Sequence, residues 1–156
     1  MRRLALGLTV AIALQACAVD GLSFVTDDRV RIVQPTPNAT IEPPYEFRWT
    51  AEDVDGYFVV FFDRSPVRPN ETLLAMVPDT DPCRARADCP DTEWLADRNV
   101  YVVRHPSLRV DQLPDLRETD REKDRHDLTI VLFDESGRRV GESVFTTEFI
   151  VERESR

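Results

Sequence analysis

Residues 57–63 read YFVVFFD, a run in which every position before the final aspartate is aliphatic or aromatic. A strand with one solvated face alternates apolar and polar residues, whereas a strand covered on both faces is apolar throughout. The run is broken by RSPVRP, because Pro66 and Pro69 cannot donate hydrogen bonds to a strand ladder. We therefore predict that residues 57–63 form a central strand that is covered on both sides.

Segments on either side of this run alternate apolar and polar residues with a period of two. Val30 and Ile32 alternate with arginines, and Phe47 and Trp49 alternate with polar residues, so both segments are predicted strands with one buried face. Trp49 is accordingly a predicted core residue. The candidate strands number about seven in all, and those not yet named are 73–77, 100–103, 128–133 and 143–151.

The connections between these strands predict how they pair. No segment with a helical period is long enough to cross over between parallel strands. The last two candidate strands are joined by DESGRRVGE, in which Gly137 supplies the positive φ that a hairpin turn usually needs. The sequence therefore predicts an all-β fold, an antiparallel sandwich of two sheets.

Size and charge limit the classes of protein to consider. The 156 residues and a hydrophobic content of 42 % suit one globular domain with its own core. The net charge of −9 would repel a phosphate backbone, so nucleic acid is not an expected partner.

Three motifs resemble a fibronectin type III or related immunoglobulin-like module. These are YEFRWTAEDVDGYFVVFFD at 45–63, the pair Leu113-Pro114, and LTIVLFDESGRRVGESVFTTEF at 128–149. The resemblance implies a sandwich with loops at both ends and says little about function. The sequence departs from the family in two insertions, residues 66–99 and 115–127, and in lacking a tyrosine near the start of the sixth strand.

The N-terminus carries the pattern of an export signal. Two arginines precede an apolar stretch at residues 4–14, which as a helix would rise only about 16 Å and is too short to span a bilayer. The stretch leads into Leu14-Gln15-Ala16-Cys17, which resembles the lipobox of bacterial lipoproteins. That resemblance implies cleavage before Cys17 and a diacylglyceryl group on its sulfur. The alternatives are an ordinary secretory peptide with an incidental cysteine, and an apolar N-terminal helix.

The resulting organisation is a signal peptide at 1–16, the lipidated cysteine with a tether at 17–29, a sandwich domain at 30–152 and a tail at 153–156. Ala18 and Val19 follow the cysteine where the lipoprotein family places an aspartate for retention in the inner membrane. We therefore expect the outer membrane as destination, on its periplasmic or outer face, if the source has two membranes.

Cys83 and Cys89 lie in CRARADC, in a chain that the signal sends to a compartment where disulfides persist. A bridge between them is the predicted state, with free thiols or metal ligation as alternatives. Neither His105 nor His126 has a cysteine at a normal zinc-binding spacing, so no metal site and no cofactor is predicted. The acidic segment AEDVDG lacks the spacing of a calcium loop, and PDTDP has proline where a ligand loop needs conformational freedom, so both are predicted to be turns.

Both insertions contain candidate partner-binding residues. Trp94 follows Asp91 and Thr92, either of which can cap a short helix ending at Asn99. An exposed tryptophan there would stack on a sugar or anchor a protein partner, whereas the alternative is that it folds back over the edge of the sandwich. The segment 115–127 mixes acids and bases and reads as a solvated loop or a docking segment, whose candidate contact residues are Arg117 and Arg121.

The sequence contains no motif for a nucleophile beside a base, for a metalloprotease or for a phosphate loop, so no catalytic residue and no enzyme activity is predicted. A pair of carboxylates for sugar hydrolysis stays open, because the separation of such a pair is spatial. The expected function is a membrane-anchored envelope module that binds a protein or an oligosaccharide. The main alternative is an accessory lipoprotein that holds a larger secretion or transport assembly together.

Overall fold

The computed structural model describes residues 27–113 and 123–152, so the signal, the lipobox and most of the tether lie outside the described residues. The described part is mostly β, with eight strands in two sheets, which agrees with the predicted all-β class. The strands are β1 Val30–Gln34, β2 Ala39–Ile41, β3 Tyr45–Ala51, β4 Tyr57–Phe62, β5 Val100–Val103, β6 Ser107–Val110, β7 Lys123–Phe133 and β8 Phe145–Glu152. A single short α-helix, α1 Thr92–Ala96, and two 3-10 helices, Leu73–Met76 and Pro82–Ala85, are described between β4 and β5.

One sheet has three strands in the order β1-β3-β6, and the other has five in the order β2-β8-β7-β4-β5. β4 is the predicted central strand, and it lies between β5 and β7 with antiparallel pairing on both sides. Phe58, Val60 and Phe62 face the three-stranded sheet, while Val59 and Phe61 pack on the opposite side. The apolar run is therefore covered on both faces, as the sequence predicted.

The prediction of a purely antiparallel fold is wrong, because β2 pairs with β8 in parallel. The chain approaches β8 at Asp27, whose carboxylate bonds to Ser143, and further on Asn38 donates to the carbonyl of Glu148 at 2.7 Å. The chain thus advances in the same direction as β8 while it crosses from one sheet to the other. A strand that changes sheet without reversing its direction pairs in parallel.

Three further boundaries differ from the prediction. Residues 73–77 form a 3-10 helix and not a strand, with i to i+3 bonds from Ala75 and Val77. β6, Ser107–Val110, was not among the predicted strands, and it pairs with β3. β7 begins at Lys123, five residues before the predicted start at Leu128. Residues 123–127, the end of the predicted loop 115–127, are therefore part of a strand. Residues 114–122 lie outside the described residues.

The space between the sheets is filled with aromatic rings. Trp49 is 3 % exposed and lies edge-on to Phe58 at a centroid distance of 5.3 Å, which agrees with its predicted place in the core. Phe47, Phe62 and Phe149 form a second group with tilted or edge-to-face rings. Such contacts stabilise a core beyond the apolar area that they bury.

Candidate functional site

The insertion between β4 and β5 covers the outer face of the five-stranded sheet. Its buried side chains include Val77, Cys83, Trp94 and Leu95, which pack with Phe61 of β4. The sulfur atoms of Cys83 and Cys89 lie at a bonding distance of 2.08 Å, in agreement with the predicted disulfide. The insertion therefore serves as a third layer of the domain.

Trp94 lies inside this third layer. Its side chain is 9 % exposed, its indole N–H donates to Asp81 at 3.1 Å, and the guanidinium of Arg98 lies 3.7 Å from the ring centroid. Asp91 caps α1 by accepting from the backbone N–H of Trp94, as the sequence predicted. The proposed stacking surface is corrected accordingly, because burial beneath Arg98 leaves no open ring face for a sugar or a protein.

Asp81 holds this layer together through its carboxylate. It accepts hydrogen bonds from the backbone N–H of Cys83 at 2.9 Å and from the indole of Trp94, and Arg98 approaches it at 3.5 Å. These contacts, first among them the bond from Cys83, lower the pKa of Asp81 below its usual value. One carboxylate therefore connects the disulfide segment, α1 and the cation above Trp94.

The other candidate residues of the sequence cannot be placed. Cys17, Arg117 and Arg121 lie outside the described residues.

A histidine and a carboxylate that the sequence did not bring together meet at one end of the sandwich. His126 Nδ1 lies 2.6 Å from Asp63 Oδ2, and the imidazole stacks on Phe149. The second oxygen of Asp63 accepts from the backbone N–H of Asp127 at 2.8 Å. A histidine-carboxylate pair orients the base in hydrolases, but within the described part of the chain no hydroxyl or thiol bonds to the other ring nitrogen. Both groups are used to join β4 to β7.

The edge of the five-stranded sheet is incompletely covered at β8. β2 pairs with β8 only at residues 149–151, and Asn38 adds one bond to Glu148. The preceding part of β8 pairs with β7 on one side and has no strand on the other among the described residues. The open edge is defined as residues 143–147, which are the first three residues of β8 and the two residues that precede the strand. Val144 at its start is 47 % exposed, which is a large fraction for an aliphatic side chain beside a strand.

Two grooves flank the open edge, and Val144, Thr146 and Thr147 line both. The first groove has a volume of about 780 Å³ and lies between β1 and β8. The second has a volume of about 750 Å³ and lies on the outer face of β7 and β8. The open edge is therefore a ridge of backbone between two grooves.

Both grooves are acidic. The first is lined by Asp27, Asp28 and Glu52 with Arg31 as its basic residue, and the second by Asp63, Asp127 and Glu148 with Arg64. A hydrogen bond from Arg29 holds the pKa of Asp27 well below its usual value, so this carboxylate stays ionised. Asp28, Glu52 and Asp127 have no ion-pair partner among the described residues.

The sequence matches no protein-family model, and no curated protein and no solved structure is significantly similar to it. Across residues 27–113 and 123–152, no three histidine, cysteine or acidic side chains are grouped as metal ligands. No helix in that part of the chain is long and apolar enough to cross a bilayer. The open edge is thus identified by geometry and charge alone.

Sequence reasoning missed the open edge and the Asp63–His126 pair, because both depend on contacts between distant segments. One local signal for the edge was present. Along ESVFTTEF the residues of the inward face are Phe145, Thr147 and Phe149, which places Val144 on the outward, otherwise polar face. A single exposed apolar residue is common on protein surfaces, so this signal by itself does not identify a contact surface.

Proposed function

We propose that this chain is a lipid-anchored protein of the bacterial envelope, residing in the outer membrane where the source has two membranes. Its sandwich binds a protein partner and has no catalytic role. The observation that carries the binding role is the open edge, a length of unpaired strand between two acidic grooves. A surface of this kind suits an extended polypeptide better than an oligosaccharide, which usually requires an exposed aromatic ring.

The anchor is supported by the sequence around Cys17. A basic start, an apolar stretch too short to span a bilayer and a small residue before the cysteine occur together, as in lipoprotein signals. Two or more acyl chains hold a protein on a bilayer durably, whereas one chain binds only marginally. Cys17 is therefore the proposed attachment site, and its role is that of an anchor.

Cell fractionation of the Cys17→Ser variant tests the anchor. We expect the wild type in the membrane fraction and the variant in the soluble fraction, with loss of the acyl mass. A matched control is the double variant Cys83→Ser/Cys89→Ser, which also removes thiols and should stay in the membrane. Retention of the Cys17→Ser variant in the membrane rules out this anchor.

Site-specific photo-crosslinking in cells tests the binding role. A photoreactive residue at Val144 should label a protein partner, whereas one at Val102 should not. Val102 is a suitable control because it is also an exposed valine, 39 % accessible, on the edge strand β5. Labelling at neither position, or equally at both, contradicts the proposed surface. Several proteins labelled at fixed stoichiometry would favour the accessory role in a larger assembly.

The finer identity of the fold belongs to the same proposal. We propose an immunoglobulin-like or fibronectin type III-like module, because the first, third and sixth strands share one sheet while the fourth, seventh and eighth are neighbours in the other. If β1 and β2 are counted together as strand A, this grouping matches immunoglobulin domains, in which strands A, B and E lie in one sheet and strands C, F and G in the other.

A further inference from the structure

We infer that an extended, basic segment of a partner protein adds to β8 as a strand along the open edge, residues 143–147. This inference rests on the proposed binding role and names the kind of partner and its mode of attachment. Addition of a strand to an exposed sheet edge combines main-chain hydrogen bonds, which give affinity, with grooves for alternate side chains, which give specificity.

The backbone of the open edge offers the required hydrogen bonds. Because Asn38 donates to the carbonyl of Glu148, the peptide groups of Glu148 point away from β7. Successive residues of a strand point to opposite edges, so Thr146, two residues earlier, directs its own N–H and C=O the same way. No backbone partner for Thr146 is found on this side among the described residues. Unpaired edge groups of this kind are a template for another strand.

The two grooves match the alternation of side chains along an added strand. Both grooves combine apolar and polar side chains: Val30, Ile32 and Phe145 line the first beside its carboxylates, and Pro66 and Thr129 line the second beside Asp127. A strand on the ridge would direct every second side chain into each groove. A segment that alternates an aliphatic residue with a basic one would place aliphatic side chains against Val30, Ile32 and Phe145 on one side and basic side chains beside Asp127 on the other.

Thr147 supplies an independent sign of a missing partner. Its side chain is 7 % exposed, its hydroxyl has no hydrogen-bond partner within residues 27–113 and 123–152, and it lines both grooves. A buried hydroxyl without a partner is costly, and such groups in folded proteins nearly always have one. An added strand would bring backbone donors and acceptors to this position.

Charge decides between a partner protein and a second copy of this chain. Each groove carries three carboxylates and one arginine among its lining residues. Two copies joined edge to edge would bring Asp28, Glu52 and Asp127 of both together, on chains of net charge −9. Like charges brought together at an interface oppose association, whereas lysine or arginine on the occupant would be attracted. The occupant is therefore a basic segment of another protein.

The length of the occupant follows from β2. Because β2 occupies the edge of β8 from Phe149 onward, the added strand is limited to the residues before it. At about 3.3 Å per residue, the five positions of the open edge accommodate a segment of about five or six residues.

Binding of labelled peptides to the full chain, purified from whichever fraction contains it, tests this inference. The probe is a fluorescent peptide of about six residues that alternates valine with lysine, and its control replaces each lysine by glutamate. We expect the lysine peptide to bind at least about tenfold more tightly at low ionic strength, with the difference shrinking as salt rises. Equal affinity of the two peptides overturns the assignment of a basic occupant.

N-methylated peptides test the mode of attachment without altering the protein. One peptide is methylated on the amides of one edge, and the matched peptide on the amides of the other edge. Loss of two hydrogen bonds should weaken one of them by about tenfold or more and leave the other unchanged. Equal effects of the two methylations, or none, overturn strand addition.

The variant Thr146→Pro removes the outward N–H of the open edge but no bond to β7, and proline is tolerated at such edge positions. We expect it to lose about tenfold in affinity for the lysine peptide while retaining its far-UV spectrum. If sedimentation instead shows a dimer that Thr146→Pro converts to monomer, the occupant is a second copy and the inference fails. These measurements do not depend on Cys17, so they separate a failure here from a failure of the proposed anchor.

Discussion

The two faces of the five-stranded sheet are buried in different ways. The inner face packs against a second sheet through phenylalanine and tryptophan side chains on regular strands. The outer face is covered by residues 64–99, which contain only helical turns and loops in the structure. The three-stranded sheet is held on the inner face by a large buried apolar area and by its own strand pairing. The layer on the outer face depends on a few specific cross-links and polar contacts.

The links of the outer layer can be named individually. They are the Cys83–Cys89 bridge, the carboxylate of Asp81, and Arg139 in the β7–β8 connection. Arg139 is buried, exchanges backbone bonds with the segment at Asn70 and Glu71, and donates its guanidinium to main-chain carbonyls. Burial lowers its pKa. The comparison teaches that a face without a partner sheet is closed by cross-links and buried polar groups.

The largest expected effect comes from breaking the inner face. Trp49→Ala should lower the free energy of unfolding by about 3 to 5 kcal/mol, because it removes a buried aromatic side chain and leaves a cavity. Urea unfolding followed by far-UV circular dichroism measures the change. The matched control is Trp49→Phe, which keeps a ring and removes an indole N–H that has no partner among the described residues, and it should lose much less stability. Near-wild-type stability of Trp49→Ala would contradict its central place.

Removal of the disulfide tests the outer face. Cys83→Ala/Cys89→Ala should cost about 2 kcal/mol by the loop-entropy estimate for a short loop. Because the bridge lies in the outer layer, amide hydrogen exchange should accelerate across 73–99 before it does in β3. Equal acceleration in both would show that the two layers unfold as one unit.

A pH titration sharpens the comparison further. The pKa of Asp81 is lowered in the folded state, so its stabilising contribution is present above the ordinary carboxyl pKa of about 4 and is lost as the pH falls through the folded value. In a Trp49→Phe background, the emission of Trp94 should shift to the red as the pH falls through the folded pKa of Asp81, which lies below the ordinary carboxyl value. Asp81→Asn should show the shifted emission already at neutral pH.

The control for this titration is Asp88→Asn, on the same insertion. Asp88 is exposed and bonds to Arg86 without contacting the tryptophan, although its pKa is also lowered. We expect the emission of Trp94 in Asp88→Asn to depend on pH in the same way as in the Trp49→Phe background without this substitution. If the two asparagine variants behave alike, Asp81 has no special role in the outer layer.

The smallest effect is expected at Asn99, where the insertion enters β5. Its backbone φ is +58°, its side chain is fully buried, and both side-chain amide atoms lack hydrogen-bond partners in the described part of the chain. Asn99→Ala should be less stable than Asn99→Gly by about 1 kcal/mol, because only glycine adopts this conformation freely. Thermal unfolding of the two variants measures the difference. A more stable alanine variant would mean that side-chain packing outweighs the backbone conformation.

Prediction from the sequence succeeded where a signal was local and repeated. β3 and β4 were recognised because their patterns extend over six or seven residues, and β5 because all four of its residues are apolar. The helical cap at Asp91 follows from side-chain chemistry. β2 and β6 were missed because a strand of three or four residues has too short a pattern.

The prediction failed at residues 73–77 for a related reason. A short apolar run suits a strand and a helical turn equally well. Here Leu73 and Met76 pack on the outer face of the sheet, while the backbone N–H groups form i to i+3 hydrogen bonds within the segment. The early start of β7 was hidden by charged residues that nonetheless pair with β8.

By itself, the sequence determined the all-β class, the double burial of β4, the place of Trp49 in the core and the pairing of Cys83 with Cys89. The first three follow from the period of the side chains, and the fourth from two cysteines six positions apart in a chain with the pattern of an export signal, all of which can be read along the sequence. Only the tertiary structure decided that Trp94 is buried beneath Arg98 and that β8 keeps an open edge. Trp94 is buried because the insertion folds onto the outer face of the sheet, and β8 keeps an open edge because β2 pairs with only its last residues. Both outcomes depend on contacts between segments that are far apart in the sequence.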